Sequence, residues 1–313
     1  MIVGMLSHLQ VLLFYRNNLS GSIPSSLGNL SNLRDLELAE NNPTGAIPTC
    51  LGNLLKLRTL ILSENDLKGT IPSELGMLTH LQVLYLSLNN LSGTIPRFLG
   101  NLSTLTDLDL SGSHLEGPIR PELGMLTHLE TLYLYNNNLT GTIPTSLGNL
   151  SRLTVLVLSA NHLEGPIPPE LGMLTKLQWL HLFTNNLSGV IPGSLGNLSK
   201  LTNLELSANQ LSGNIPDSFS TLRQLINLYL EQNKLTGEIP VTLERCRMLE
   251  VFQLSENQLS GSLPDFLGGL QQLRYIYLHH KQLTGEIPAS LEGCRMLEKL
   301  HLSHNNLWGR IPR

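Results

Sequence analysis

A period of 24 residues runs through this sequence without an insertion. The repeated phrase is Leu-x-Leu-x-x-Asn-x-Leu-x-Gly-x-Ile-Pro, and its Asn stands at positions 17, 41, 65, 89, 137, 161, 185, 209, 233, 257 and 305. Ser113 and Lys281 take the two remaining places in the series, and a Gly follows four residues after all thirteen. Such repetition predicts thirteen similar coils, stacked so that each one contacts only its neighbours.

Each repeat contains the pattern of a short strand. Around position 85, Leu84 and Leu86 alternate with Val83, Tyr85 and Ser87. A period of two is typical of a half-buried strand, so we expect the Leu side chains to point inward and the three alternate residues to face solvent. Neighbouring copies would then pair into one parallel sheet.

The residues after the strand predict a turn and a return to the core. Asn89 can hydrogen-bond backbone groups that the turn leaves unpaired, and successive Asn residues should form a ladder. Gly93 permits a backbone conformation that a Cβ would obstruct. Pro96 ends the strand pairing and starts the opposite side of the coil, from which Leu99 and Leu102 return to the core.

Two repeats depart from the ladder. Ser113 is shorter than Asn and can replace only part of its hydrogen bonding. Lys281 carries an ammonium group with three donors and no acceptor, and its burial would be costly, so we expect this side chain to swing outward. These repeats are therefore predicted to be weak points of the array.

The run Leu-Ser-Gly-Thr-Ile-Pro at 91–96, with its relatives in the other repeats, resembles the plant-type subclass of leucine-rich repeats over the whole chain. That subclass includes ectodomains of receptor-like kinases, receptor-like proteins and polygalacturonase-inhibiting proteins. The resemblance implies an α/β-type solenoid, a right-handed superhelix of thirteen 24-residue repeats. It would have a concave parallel β-sheet, short second strands and a convex side of 3-10 or irregular turns.

The resemblance also implies a non-catalytic recognition module that binds a peptide or protein ligand on its concave face, in defence or developmental signalling. A co-receptor would be a further partner, and the location would be extracellular or associated with the plasma membrane. Three alternatives stay open: a secreted inhibitor of a cell-wall-degrading enzyme, an ice-binding protein, or a truncated gene product without its own function. Ice binding needs a regular row of small polar side chains, but Lys68, Glu116, Glu164 and Trp308 interrupt the row three residues after the Asn.

Charge and composition argue against nucleic acid and membranes as binding partners. A formal net charge of −4 provides no basic field for nucleic acid. No run of about 20 apolar residues occurs, so this segment is not expected to enter a membrane. Residues 1–313 are expected to form a single domain in which neither end carries a polar cap, as in a fragment of a longer protein.

The three cysteines are expected to be free thiols. Cys246 and Cys294 take the repeat position that Leu30 occupies in an earlier copy, so they should be small buried residues. Two rungs of a parallel sheet separate their Cα atoms by about 10 Å, which is too far for a disulfide. Cys50 has no near partner.

The candidate ligand residues lie six, four, two and one positions before each Asn, on the predicted concave face. Aromatic and imidazole side chains occupy these positions in the middle and C-terminal repeats: Tyr133, Tyr135, Trp179, His181, Phe183, Tyr229 and Tyr277. Exposed aromatics on a rigid sheet are typical of binding hot spots, so the first five are predicted to form one patch. The alternative is that these residues stand there because aromatic side chains favour β-strands and pack against their neighbours. Near the N-terminus a secondary acidic patch is predicted from Asp35, Glu37, Glu40 and Glu64, with Arg16 beside it.

The histidines and the remaining motifs indicate no catalysis. His280 and His304 share one row and should have Cβ atoms about 5 Å apart, but nothing completes a ligand set, so no metal is expected. They are either ordinary surface residues or a pH-dependent contact. No phosphate loop, nucleophile elbow or metalloprotease helix occurs, so we expect neither enzymatic activity nor a cofactor.

Eight Asn-x-Ser/Thr sequons follow from the repeat phrase and are N-glycosylation candidates if the chain is secreted. Their Asn residues are Asn18, Asn29, Asn90, Asn101, Asn138, Asn149, Asn186 and Asn197.

Overall fold

The computed structural model describes residues 5–311. The chain forms two compact units, of which the first ends at Asn161 and the second begins at His162. Within each unit, most repeats contribute a strand to a main sheet, a second strand on another side of the coil and a 3-10 turn. This confirms the stacked coils of a solenoid, while the expectation of a single domain stays a prediction.

The main-sheet strands are three residues long and begin six residues before the ladder position. In the first unit they are Val11–Leu13, Asp35–Glu37, Thr59–Ile61, Val83–Tyr85, Asp107–Asp109, Thr131–Tyr133 and Val155–Val157. In the second unit they are Trp179–His181, Asn203–Glu205, Asn227–Tyr229, Val251–Gln253, Tyr275–Tyr277 and Lys299–His301. Neighbours pair in parallel with equivalent residues opposite each other, as Leu84 and Leu108 are.

The second-sheet strands run through the Asn-to-Gly part of the phrase. In the first unit they are Ser20–Ser22, Asn42–Gly45, Asp66–Gly69, Asn90–Thr94, His114–Pro118 and Asn138–Gly141. In the second unit they are His162–Gly165, Asn186–Val190, Gln210–Gly213 and Lys234–Leu235, while Thr284–Gly285 and Asn306–Leu307 pair in a separate two-stranded sheet. Lys68 lies opposite Asn90, so the pairing is shifted by two residues from the repeat period. An even shift keeps equivalent side chains on the same face.

The opposite side of each coil is a five-residue 3-10 turn. The first unit contains Ser25–Asn29, Thr49–Asn53, Ser73–Met77, Arg97–Asn101, Pro121–Met125 and Thr145–Asn149. The second contains Pro169–Met173, Gly193–Asn197, Asp217–Thr221, Val241–Arg245, Asp265–Gly269 and Ala289–Gly293. A Pro caps nearly every turn, as Pro96 does with φ −75° and ψ 141°. Arg120 replaces that Pro once and takes the same extended conformation, with Pro121 as the first residue of its turn.

The core consists of the leucines on the repeat grid. Leu84, Leu86, Leu99 and Leu102 have no exposed surface, which confirms the predicted inward positions. The solvent-facing prediction is wrong for Ser87, which is 6% exposed. The strand ends before this position, and Ser87 turns inward to donate its hydroxyl to Ser63 Oγ at 3.0 Å.

The Asn ladder is confirmed, and it links successive repeats. Asn65 Nδ2 donates to the carbonyl oxygens of Leu62 and Ser63 in its own turn, at 2.9 and 3.1 Å. It also donates to Leu38 O of the preceding repeat at 3.1 Å. Its Oδ1 accepts from the backbone N–H of Asn41 at 3.1 Å. One buried amide therefore satisfies backbone groups in two coils, which would otherwise be desolvated without partners.

The two substituted ladder positions behave differently. Ser113 Oγ donates to Asn89 O at 3.2 Å, so Ser113 replaces only part of the pattern, as predicted. The outward prediction for Lys281 is wrong, because its side chain is buried at 7% exposure. Lys281 Nζ donates to Leu254 O, the carbonyl that Asn would reach from this place. The ammonium group of Lys281 thus replaces one ladder donor.

The residue before each ladder position adopts a left-handed backbone. Twelve non-glycine residues at this place have φ between +50° and +56°, among them Arg16, Glu40 and Ala208. A left-handed conformation costs an L-residue roughly 1–2 kcal/mol, so the fixed ladder bonds must hold it in place. The side chains of these residues therefore project from the turn that follows the main-sheet strand, and not from the strand itself. This position was predicted to lie on the strand face, and its left-handed conformation was not predicted.

All three cysteines are free thiols, as predicted. Cys246 and Cys294 are buried, and their Sγ atoms lie 3.3 and 3.0 Å from the carbonyl oxygens of Phe219 and Leu267. Burial raises the pKa of the Cys246 thiol to about 11, so this group is an unreactive core residue.

Candidate ligand-binding surface

The outer face of the main sheet carries the variable side chains. Most strands bury their central residue and turn the two flanking ones outward, as Leu180 is buried between Trp179 and His181. Because the flanking residues repeat in register, one strand presents its side chains directly beside those of the next. This geometry converts a 24-residue sequence period into rows on a rigid surface.

Three predicted site residues of the second unit form a continuous aromatic group. The Trp179 and His181 rings are stacked, with centroids 5.8 Å apart and planes 7° apart. His181 and Phe183 are 6.4 Å apart and tilted by 55°. Trp179 is 41% exposed, so a large aromatic surface faces solvent at a fixed position. We call Trp179, His181 and Phe183 the aromatic group.

A carboxylate lies beside this group. His181 Nδ1 is 3.8 Å from Glu205 Oε2 on the neighbouring strand. Attraction between charged forms would raise the pKa of His181 and lower that of Glu205. Burial has the opposite effect and dominates, because it lowers the pKa of His181 and raises that of Glu205. Both groups therefore favour their neutral forms more than they would in water.

The C-terminal strands hold a second cluster around Tyr277. Its ring lies 6.4 Å from that of His301, and Lys299 Nζ is 4.9 Å from its centroid. Tyr229 is half-buried on another strand of the same sheet. Burial raises the pKa of Tyr229, so its phenol is neutral at physiological pH.

Charged residues that the sequence analysis missed surround the neighbouring Tyr275. Arg274 Nε donates to Glu298 Oε1 at 2.8 Å, and Tyr275 OH donates to Glu298 Oε2 at 2.6 Å. Those two bonds lower the pKa of Glu298. Arg274 and Glu298 precede the ladder by seven positions, outside the four positions considered as ligand-facing. The signal available was the opposite charge of two residues exactly one repeat apart.

Four histidines are stacked in pairs on the C-terminal rungs. His280 and His304 have ring centroids 4.1 Å apart, and His279 and His301 have centroids 3.9 Å apart. The His280–His304 proximity was predicted from the shared row. Burial lowers the pKa of His279, and the neighbouring His301 and His280 lower it further. Within residues 5–311, no group of three or more His, Cys, Asp or Glu side chains is arranged to hold a metal ion.

The predicted tyrosines of the first unit lie among acidic residues. The Tyr133 and Tyr135 rings meet edge to face, with centroids 6.4 Å apart. Asp107 accepts hydrogen bonds from the hydroxyls of Thr106 and Thr131, both at 2.7 Å. Burial raises the pKa of Tyr133, and Asp109 and Asp107 contribute to the rise. Neither aspartate was predicted as a site residue, although both occupy the rows that supplied Asp35 and Glu37.

The predicted acidic patch is divided by the structure between strand and turn. Asp35 and Glu37 are half-buried on a main-sheet strand. Glu40 and Glu64 lie in the left-handed turns that follow. Glu40 accepts from Arg16 Nε at 2.9 Å, so part of the negative charge is neutralised. The role of the patch stays a prediction.

The eight sequon asparagines, from Asn18 to Asn197, are all exposed. Asn90, Asn138 and Asn186 are the first residues of second-sheet strands. Glycans attached to these three residues would therefore project from the protein surface next to the main sheet. Among the described residues, no helix combines the length and apolar character needed to cross a bilayer.

Comparison with protein-family models identifies the family to which this repeat belongs. Descriptions of the leucine-rich repeat match residues 8–30, 56–78, 80–102, 128–150, 152–174, 176–198, 200–222, 224–246 and 247–307. The chain is a leucine-rich-repeat protein. No curated protein sequence matches it significantly.

Solved structures extend this comparison to plant proteins. The plant peptide hormone receptor RGFR1, in complex with RGF2, is 38% identical with a TM-score of 0.92, over 97% of this chain and 53% of that one. The Arabidopsis receptor kinase HAESA, in complex with the peptide hormone IDA and the co-receptor SERK1, is 31% identical with a TM-score of 0.79, over 99% and 60%. A plant ice-binding protein is 31% identical with a TM-score of 0.60, over 81% and 74%. The chain is thus a plant-type leucine-rich-repeat protein that spans about half the length of the RGFR1 structure.

Proposed function

We propose that this leucine-rich-repeat chain is a non-catalytic recognition module that binds a peptide or protein ligand on the outer face of its main sheet. The observation that carries the proposal is the aromatic group, in which Trp179 is 41% exposed and stacked on His181. Large aromatic side chains that are already ordered lose little conformational entropy on binding. They are enriched among the few residues that supply most interface energy.

The polar surroundings suit a ligand that combines apolar and hydrogen-bonding groups. Glu205 lies beside the aromatic group, and Asn203 and Asn227 share a 2.6 Å hydrogen bond on the adjacent strands. A peptide supplies side chains for the aromatic surface and backbone amides for these acceptors and donors. The similar structures of RGFR1 and HAESA are complexes of receptors with RGF2 and with the peptide hormone IDA, which supports a peptide as the ligand here. An extracellular location and a co-receptor partner belong to this proposal.

Inhibition of a cell-wall-degrading enzyme would use the same face, so it predicts the same sensitive residues. Ice binding is the second candidate because a plant ice-binding protein has a similar structure. Five consecutive repeats of the second unit have a hydroxyl residue three positions after the Asn or its replacement: Ser188, Ser212, Thr236, Ser260 and Thr284. Lys68 and Glu116 interrupt that row in the first unit, and Glu164 and Trp308 interrupt it in the second, so ligand recognition is the better-supported function.

The proposal is tested with the two tryptophans of the chain, Trp179 and Trp308. In the variant Trp308→Phe, all tryptophan fluorescence comes from Trp179. Peptides are selected from a random library on the wild-type protein and titrated into this variant. We expect a saturable change of emission, because a bound peptide covers the exposed indole.

Matched alanine variants assign the binding energy. Trp179→Ala and Phe183→Ala should each weaken binding of the selected peptides by about 2 kcal/mol or more, roughly 30-fold, as hot-spot truncations do. Trp308→Ala removes an equally large aromatic residue that is 64% exposed and lies outside the group, so affinity should be unchanged. Equal affinities of all three alanine variants would refute the proposal.

A further inference from the structure

A small cavity away from the outer face of the main sheet is lined by basic residues. It measures about 210 Å³, and its walls are Arg34, Lys56, Arg58 and His80. All four residues are exposed. They lie in the turns that lead into main-sheet strands of the first unit, at the end opposite to the Asn ladder. We call these four residues the basic pocket.

The backbone brings the two arginines together. Arg58 N donates to Arg34 O at 2.7 Å, so the residues occupy neighbouring rungs, whose spacing is about 4.8 Å. Lys56 Nζ donates to Asn32 Oδ1 at 2.7 Å, which holds the ammonium group without neutralising it. The pocket therefore gathers donors from two guanidinium groups and one ammonium group on rigid turns.

No carboxylate of residues 5–311 pairs with these cations within 4.0 Å. Three other arginines of the chain have such a partner: Arg16 with Glu40, Arg97 with Glu122, and Arg274 with Glu298. Like charges that are held close together repel each other, and this repulsion is relieved when an anion enters. The basic pocket is thus a concentration of unpaired positive charge in a chain whose net charge is −4.

We propose that the basic pocket binds one compact oxyanion, carried as a carboxylate, sulfate ester or phosphate ester. Its volume is below the roughly 300–1,000 Å³ of pockets that enclose drug-sized ligands, so it fits a single group. Guanidinium groups present paired N–H donors that match two oxygens of one anion. Asp35 and Glu37 on the adjoining strand would repel a polyanion that extended across the sheet. The site is independent of the aromatic group and of the peptide-binding proposal.

The test is calorimetric titration of the whole chain with sodium sulfate, sodium phosphate and sodium acetate at constant ionic strength, which keeps screening equal. We expect saturable binding of at least one anion, with a dissociation constant on the order of 1 mM. Sulfate and phosphate binding more tightly than acetate would assign an ester, and the reverse order would assign a carboxylate. Absence of saturation with all three anions would overturn the proposal.

Charge-matched variants separate the pocket from general attraction. Arg34→Gln with Arg58→Gln should raise the dissociation constant at least ~10-fold, because two charge-assisted pairs are lost. Arg97→Gln with Arg152→Gln removes the same charge from exposed residues outside the pocket. This double variant should keep the dissociation constant within about twofold of the wild-type value. Lys56→Gln is a milder variant, expected to fall between the two pairs. Equal loss in both double variants would mean nonspecific binding and would refute the site.

Discussion

Lys281 shows how strongly a single turn position is constrained by its neighbours. Its ammonium group stays inside the turn and donates to Leu254 O, although burial lowers its pKa to about 7. Leaving the turn would empty a site that is closed on both sides by ladder residues, Asn257 and Asn305. The aliphatic stem fills that space, and one hydrogen bond partly offsets the loss of hydration.

We expect Lys281→Asn to raise the free energy of unfolding by about 1 kcal/mol or more. Asn restores an acceptor and two donors to the turn and removes a buried cation. The measurement is urea denaturation followed by circular dichroism. Lys281→Met is the control, because it keeps the stem and removes the charge without restoring the amide. A wild-type protein more stable than Lys281→Asn would contradict the ladder argument for this repeat.

At the scale of secondary-structure elements, a second glycine of the repeat governs how the 3-10 turns stack. A Cβ built on Gly100 would lie 2.5 Å from Glu122 O in the following turn, closer than any real contact. The equivalent Gly28, Gly52, Gly124, Gly172 and Gly196 meet the next turn in the same way. These turns approach closely because the position has no side chain, a requirement of packing rather than of backbone conformation.

Gly100→Ala should destabilise the protein by roughly 1–3 kcal/mol, because overpacking forces two turns apart. Gly193→Ala is the matched control, since Gly193 also lies in a 3-10 turn and its Cβ would be 3.6 Å from Ser218 Oγ, an ordinary contact. That change should be neutral or slightly stabilising, by up to about 1 kcal/mol, through the unfolded chain. Thermal unfolding of both variants measures the difference. Equal effects would show that the turns can move apart freely.

At the scale of the whole molecule, the half-buried Glu231 and the buried Lys281 should make stability depend on pH in opposite directions. Burial raises the pKa of Glu231 from 4.5 to about 7, while Lys281 lowers it somewhat. The folded state therefore binds more protons than the unfolded state between these values, so the Glu231 contribution to stability falls as pH rises through that window. Burial lowers the pKa of Lys281 from 10.5 to about 7, so its contribution increases as pH rises from 7 to 10.5.

Variants measured across pH 5 to 10 isolate these contributions. The stability gained by Lys281→Asn over wild type should be largest at pH 7 and below, and should shrink toward pH 10. The gain from Glu231→Gln should be small at pH 5 and should grow toward pH 8. Denaturation midpoints of wild type and variants at each pH are the measurement, with His128→Gln as a control on an exposed histidine. Gains that do not change with pH would mean that neither group is perturbed by folding.

The repeat architecture was predictable from sequence because its determinants are local and recur in phase. Buried leucines such as Leu84 and Leu86 recur at alternate positions in the repeats. Asn65 hydrogen-bonds the turn in which it lies, and the ring of Pro96 fixes the extended backbone that precedes a 3-10 turn. Each repeat adds the same evidence again, so the solenoid, its parallel sheet and its ladder could be predicted. The outward position of Trp179 followed from the same alternation.

Other features were decided only by the tertiary structure, because they depend on residues one or more repeats apart. Ser87 turns inward since the strand ends before it and Ser63 offers a partner in the preceding coil. Lys281 stays buried because the coils on both sides close its turn. The basic pocket joins Arg34 to His80 across three repeats, a grouping that no local pattern marks. The sequence by itself determined which residues every coil repeats, and the stacking of coils decided which unlike side chains meet.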